Sequence, residues 1–369
     1  MILVLFVLAF VLFLLEQRIF EKVWDQNLEI SLCFEDDAIY EGDTSVLNEI
    51  IENKKIIPLP MLNVKFTTDR SLEFPEDPSS ETTDKFYRND YFAVRGMEKV
   101  TRKLKFKGRH RGVYSIDSAD LNVSDFFMSS TYSTEVDVMT TIYVYPKPFE
   151  SSEFLKSFQQ LYGELLTRRH LLEDPFEYRG IREYEPYDTM RSINWKATAR
   201  TGMLKVNQKN YTAQKAIRIF MNLEDSGVLK REECVEAAIR VAAGLSRLFI
   251  SQGMKVSLYC NAADMFTGEK IVCEANAGSR QYLSILTSLT RCDIKKIFPF
   301  SETFGRELFQ NKESFTCLIS PNQYPDFVDI LKAFDQKKGR FVWFYPVWET
   351  TEPKVCDELQ SHVRVLHIR

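Results

Sequence analysis

The spacing of the apolar residues changes along this chain, and that change limits what the chain can fold into. From about residue 25 to 147 the period is two. Leu28, Ile30, Leu32 and Phe34 alternate with Asn27, Glu29, Ser31 and Cys33, and Leu62, Val64 and Phe66 repeat the pattern. Val100, Leu104 and Phe106 follow it in part, with Arg102 among them, and Ile142 and Val144 follow it before Pro146. Turn clusters at 41–43, 75–78 and 107–109 separate the runs. Short alternating strands with turns between them predict an antiparallel sandwich, because successive side chains on a strand point to opposite faces. The polar stretch 77–84 reads as a loop, and Asp117, Asp120 and Asp125 read as a solvated loop cluster.

The period then becomes helical. Phe154, Leu155, Phe158, Leu161, Tyr162, Leu165 and Leu166 predict a connector helix over 151–172, capped by Ser151 or Ser152. From about 215 strands and helices take turns. Strands are expected at 216–223, 256–260, 315–319, 341–345 and 363–368. Helices are expected at 232–250, from Ser279, and at 325–337. Repeated strand–helix–strand order implies a mostly parallel sheet covered on both faces, the Rossmann-like class of α/β fold.

Met1 to Leu15 contain no charged or polar side chain. That run is slightly shorter than the roughly 20 residues that span a bilayer. With no basic leader and no small-residue cleavage site, it reads as an uncleaved membrane anchor over 1–23. Arg18 and Lys22 follow it, which places the body in the cytoplasm by the bias of basic residues. The expected organisation is an anchor at 1–23, a sandwich at 24–148, a connector at 149–180 and an α/β domain at 181–369.

Composition narrows the function classes. A net charge of −4 over 369 residues argues against nucleic acid as a partner, since such binding rests on excess Lys and Arg. The seven cysteines are scattered singly, as buried thiols rather than a disulfide framework. Phosphate-loop, dinucleotide, zinc-protease and serine-hydrolase motifs are absent. His110, His170, His362 and His367 do not form a metal pair. The expectation is no cofactor and no enzymatic activity.

The densest chemistry lies at 182–200. Asp188 reads as the N-cap of a helix that stops at Gly202. Arg191 and Trp195 would then share one face, guanidinium over indole. Met190, Ile193 and Ala197 would form an apolar stripe. The module is either a packing joint, with Trp195 filling a seam and arginines tying it down, or a docking site for an anionic partner.

The same run resembles the signature of the domain of unknown function 58 family, Arg-x-Tyr-x-Pro-Gly-Asp-x-x-Arg-x-Ile-x-Trp-x-x-x-Ala-Arg. The matching residues are Arg182, Tyr184, Pro186, Asp188, Arg191, Ile193, Trp195, Ala199 and Arg200, with Tyr187 in place of the glycine. Arg111-Gly112 with Tyr114, and Asp125-Phe126, make a weaker match. The resemblance implies an N-terminal membrane segment, a β-sandwich and a von Willebrand factor A-like α/β domain. It also implies an adaptor role beside a MoxR-type AAA+ ATPase. A-type domains hold Mg²⁺ through Asp-x-Ser-x-Ser; here the equivalent stretch has Asn222, Glu224 and Ser226, which are weak metal candidates. Two rival readings are a cell-envelope enzyme with an unrecognised carboxylate site and a metal-dependent ligand-binding A-type domain.

Overall fold

The computed structural model describes residues 2–75, 80–82, 85–171, 173–185, 190–211, 216–224, 232–310, 314–349 and 357–368. The chain divides into two compact units, Met1–Lys147 with Leu289–Arg291, and Pro148–Ser288 with Cys292–Arg369.

The first unit begins with helix α1 (Ile2–Val23). Its strands are β1 (Leu28–Phe34), β2 (Ala38–Tyr40), β3 (Thr44–Asn53), β4 (Leu59–Asp69), β5 (Leu72–Glu73), β6 (Ser80–Thr82), β7 (Lys85–Val94), β8 (Glu98–Gly108), β9 (Gly112–Ser124) and β10 (Thr131–Tyr145). They form two sheets, in the orders β1-β3-β8-β5 and β2-β10-β9-β4-β7-β6. Leu47, Ile51 and Phe106 from one sheet share a core with Leu62, Val64, Ile116 and Val123 from the other. Every pairing among these strands is antiparallel except β10 with β2. Asp117 and Asp120 lie on β9, not in a loop. Asp125 is buried and accepts from the Ser129 N–H at 2.7 Å, so it closes a turn.

The fold class expected from the sequence is corrected at its N-terminus. The chain is mostly β and built from several sheets, and among the described residues no helix is long and apolar enough to cross a membrane. A single-pass anchor and a cell-membrane location are therefore not supported. The reason lies in the last turns of α1. They carry Glu16, Arg18, Glu21 and Lys22, which shorten the uncharged run. Phe20 and Trp24 at that end are buried in the core of the first unit, where Trp24 stacks on Tyr132 at 6.2 Å. Gln17 Nε2 donates to Ser129 Oγ at 2.8 Å.

Period two also carries charge inward. On β3 the inward face is Ser45, Leu47, Glu49, Ile51 and Asn53; on β7 it is Phe86, Arg88, Asp90, Phe92 and Val94. Arg88 Nε donates to Asp90 Oδ2 at 2.5 Å, and Arg102 Nη1 donates to Asp90 Oδ1 at 2.6 Å. Arg102 lies directly across from Glu49 in the β3–β8 register and sits 4.3 Å over the Phe92 ring. Glu49 is wholly buried. Burial, and then the Asp90 charge, push its carboxyl up to about 8, against the pull of Arg102 and Arg88.

The second unit holds α2 (Ser152–Leu171), β11 (Glu173–Glu183), α3 (Trp195–Thr201), β12 (Lys205–Tyr211), β13 (Ile217–Met221), α4 (Glu232–Ser251), β14 (Val256–Asp264), β15 (Lys270–Asn276), α5 (Ser279–Thr290), β16 (Cys292–Ile297), α6 (Phe300–Phe309), β17 (Thr316–Ile319), α7 (Pro325–Gln336), β18 (Phe341–Trp348) and β19 (Val363–Ile368). The last two residues of α5 fall in the first unit by contact. The large sheet runs β15-β14-β13-β17-β18-β19, with β16 also on β14. The pairs from β14 through β19 are parallel; β15 and β16 join antiparallel. Every residue of β13 and β17 is buried, as a parallel sheet covered on both faces requires.

Helices cover this sheet for reasons visible in their spacing. Val235, Ala238, Ala242, Leu245 and Phe249 of α4 are buried. Gly244 lets the chain approach, since a Cβ there would sit 2.9 Å from the Phe149 carbonyl oxygen. Ser151 Oγ accepts from the Phe154 N–H at 3.1 Å and starts α2, which packs Phe154 on Phe344 and Phe158 on Phe249. Arg218 is buried on β13 and donates to the carbonyls of Glu307, Leu308 and Gln310 at the end of α6, where helix carbonyls run out of intrahelical donors. The thiols of Cys234, Cys260, Cys273, Cys292 and Cys317 are buried and unbridged.

Two predictions follow from these buried charges. The folded state holds a proton on Glu49 that the unfolded chain gives up near its ordinary value of 4.5. Stability of the first unit therefore falls as pH rises from about 4.5 to about 8, by up to ~1.4 kcal/mol per unit, and flattens above. Denaturant titrations across that range should show Glu49→Gln matching wild type near pH 5 and exceeding it at pH 9; an unchanged pH profile would refute the assignment. Arg218→Met should cost about 3 kcal/mol in the second unit, because the Leu308 and Gln310 carbonyls and the Thr316 hydroxyl lose the guanidinium donors, and urea unfolding measures it.

Candidate functional site

The motif segment is a two-stranded antiparallel sheet with a helix between its strands. Ile181 pairs with Asn207, Arg182 with Val206 and Glu183 with Lys205. Ile193 makes a further bridge to Val206 and is buried. The Asn194 N–H donates to the Lys205 carbonyl at 2.7 Å. Pairing with β12 thus takes the backbone at 193–194 out of helical geometry.

This corrects the single helix expected from Asp188. Met190–Ser192 is one turn of 3-10 helix, and α3 starts only at Trp195. Its N-cap is Asn194, whose Oδ1 accepts from the Ala197 N–H at 2.9 Å. Gly202 ends it with φ 71°, as expected for a residue without a Cβ. Arg191 and Trp195 do not share a helix, so the expected stacking loses its geometric basis. Pro186, Asp188 and Ser226 lie outside the described residues, and of Arg191 only the backbone is described.

Trp195 does not fill a seam. Trp195 is 62% exposed, and Met190 and Met203 are 68% and 62% exposed. Ile181 and Leu204 are exposed as well. Arg200 and Ala199 are exposed near the end of α3, and Tyr184 is half-buried. Arg182 Nη1 donates to the Glu183 carbonyl at 2.9 Å and approaches Glu185 Oε2 at 3.4 Å. Among the module's described side chains, Ile193 and Val206 are buried, while Trp195, Met190, Met203 and Arg200 are exposed.

A second feature lies at the carboxyl ends of the parallel strands. After β13 the sheet order reverses: β14 lies on one side of it and β17 on the other. Such reversals leave a crevice where open α/β sheets bind ligands. A cleft of 410 Å³ opens there, with Glu224, Ser301, Asn322, Tyr324 and Asp326 contributing polar groups. Two buried asparagines, Asn222 and Asn261, brace the strand ends that lead to Glu224. Asn222 Oδ1 accepts from Asn261 Nδ2 and from the Glu224 N–H, both at 3.0 Å. Asn261 Oδ1 accepts from the Leu223 N–H at 2.9 Å, and its Nδ2 also donates to the Phe298 carbonyl at 2.9 Å. These bonds tie the loops after β13 and β16 to β14.

Burial raises the Glu224 carboxyl above its ordinary value, and the nearby Asp326 charge adds to the rise; the Phe300 N–H at the start of α6 favours the ionised form. The Asn222 oxygen is already taken by two donors. Among the described residues no three His, Cys, Asp or Glu side chains gather to hold a metal ion. Sequence reasoning missed Asn194, Asn261, Asn322 and Asp326. The run from Asn322 to Asp326 held a usable signal, since Pro325 and Asp326 mark a helix start.

The comparisons bear on the motif segment. Residues 180–302 match the model of the family described as "Protein of unknown function DUF58", which supports the resemblance over that part of the chain. No curated protein matches. Among solved structures, a non-cellulosomal cohesin from Archaeoglobus fulgidus is 14% identical, with 31% of this chain and 91% of that chain covered and a TM-score of 0.23. A CARDB domain from Pyrococcus furiosus is 12% identical, covering 33% of this chain and 94% of that one, at 0.22. The sporulation control protein Spo0M from Bacillus subtilis is 11% identical, covering 43% and 58%, at 0.18. None of these values establishes a common fold.

The cap carries the prediction here. Asn194→Ala should weaken the first turn of α3 by about 1 kcal/mol, so the Ala197 amide exchanges roughly five times faster. Hydrogen exchange read by NMR tests it; unchanged protection would show that the side-chain cap does not hold the helix.

Proposed function

We propose that this chain is a non-enzymatic interaction protein, an adaptor that docks a protein partner through the module at 181–204. One observation carries the reading. The segment matched by the family of unknown function leaves Trp195, Met190, Met203 and Arg200 all exposed to solvent. Tryptophan and arginine are the residue types that dominate binding energy at interfaces, and methionine adapts to varied surfaces. An exposed large aromatic gains nothing for folding, which favours docking over the packing joint.

The basic groups Lys196 and Arg200 favour an acidic surface on the partner. The finer proposal is a MoxR-type AAA+ ATPase, carried over from the family resemblance alone. The test is direct binding of the purified full chain to such an ATPase, by calorimetry or surface resonance. Trp195→Ala and Arg200→Ala should each weaken the complex at least tenfold, with melting unchanged because both side chains are exposed. If both variants fold and bind as wild type does, the docking assignment is wrong. If wild type itself does not bind, the ATPase is the wrong partner.

A further inference from the structure

The cleft beyond the carboxyl ends of β13 and β17 plays no part in that docking reading, and its chemistry is different. Two carboxylates, Glu224 and Asp326, line it, and among the described residues no lysine or arginine does. Glu224 is half-buried, and Asp326 raises its affinity for a proton, so negative charge in the cleft lacks a full counterpart. Asn322 lines the cleft while only 6% exposed. Its Oδ1 accepts from the Tyr324 N–H at 2.8 Å, and its Nδ2 has no acceptor among the described residues. Phe300, Phe327 and Ile330 supply apolar wall, and Tyr324 is partly exposed at the rim.

These features select among ligand classes. An anion meets two carboxylates. A bare divalent cation meets too few ligands, since the Asn222 oxygen is already engaged and among the described residues no third acid or histidine joins the pair. An apolar ligand leaves both acids desolvated without a partner. A volume of 410 Å³ suits a group larger than an ion. An alkyl stem ending in a delocalised cation fits on each count: its methylenes meet the apolar wall and its fork of N–H donors meets the carboxylates.

We infer that this cleft binds the guanidinium side chain of an arginine-bearing ligand, held by Glu224 and Asp326, with Asn322 Nδ2 donating to a carbonyl of the same ligand. The site goes beyond the docking module and stands without it.

The experiment is calorimetric and NMR titration of the full chain with Nα-acetyl-arginine amide, with its neutral isostere Nα-acetyl-citrulline amide, and with magnesium chloride. Saturable one-to-one binding of the arginine probe is expected, with shifts centred on residues 222–224, 300–301 and 322–327. Glu224→Gln and Asp326→Asn should each weaken it about tenfold, and the citrulline probe should bind at least tenfold more weakly than the arginine probe. Asp326→Asn keeps a polar residue in the first turn of α7 and so carries the test should Glu224→Gln unfold. The inference is overturned if the arginine probe does not bind, if citrulline binds equally, if neither substitution weakens binding, or if magnesium occupies the cleft in preference to the arginine probe. The assay contains no protein partner and leaves Trp195 and Arg200 intact, so its failure is distinct from failure of the docking reading.

Discussion

Strands buried on both faces leave their end groups nowhere to find water, and the second unit is organised around that constraint. Polar backbone at either end of β13 has to be satisfied by protein, because an unpaired buried group costs about as much as a lost hydrogen bond. On one side Arg218 answers the carbonyls that end α6. On the other, Asn222 and Asn261 bond each other and the loops after β13 and β16. The same bonds hold Glu224 at the rim of the cleft. The candidate ligand site is thus a by-product of closing the strand ends.

The first unit resolves a different conflict. Alternation puts every second residue inside, whatever its charge, so Arg88, Asp90 and Glu49 are carried between the sheets with Phe86 and Phe92. Two arginines around one aspartate satisfy most of this charge, and Glu49 is left to hold a proton instead. The second unit buries a charge too, but among the described residues a single one, on β13: Arg218, whose guanidinium donates to carbonyls at the end of α6.

Much of the secondary structure could be read from residue spacing. The alternation at 28–34 and 62–66, the helical spacing in α2 and α4, and Gly202 and Gly253 as stop signals all correspond to observed elements. Short or mixed elements were missed. In β15 only Ile271 and Cys273 are buried, too brief a pattern to separate from a turn. In α6, Phe300, Phe304 and Leu308 do repeat at helical spacing, but the helix has no side-chain cap to mark its start. At the motif, helix propensity lost to β pairing: Ile193 bonds Val206 across the hairpin, and no local signal reveals that contact. The N-terminal run misled for a related reason, since an apolar stretch does not reveal that its final turns pack on Tyr132.

The sequence by itself determined the periods, the stops and the residue types available at each face, because these follow from backbone geometry and the size and charge of each side chain. It also determined that 182–200 would concentrate basic and aromatic groups. Only the tertiary structure decided where those groups point. Trp195 faces solvent, Asn194 caps α3, and Glu224 meets Asp326, residues some hundred positions apart brought together by the reversal of strand order after β13. Contacts of that range depend on how strands pair and helices cover them, and pairing is a property of the whole sheet rather than of any segment within it.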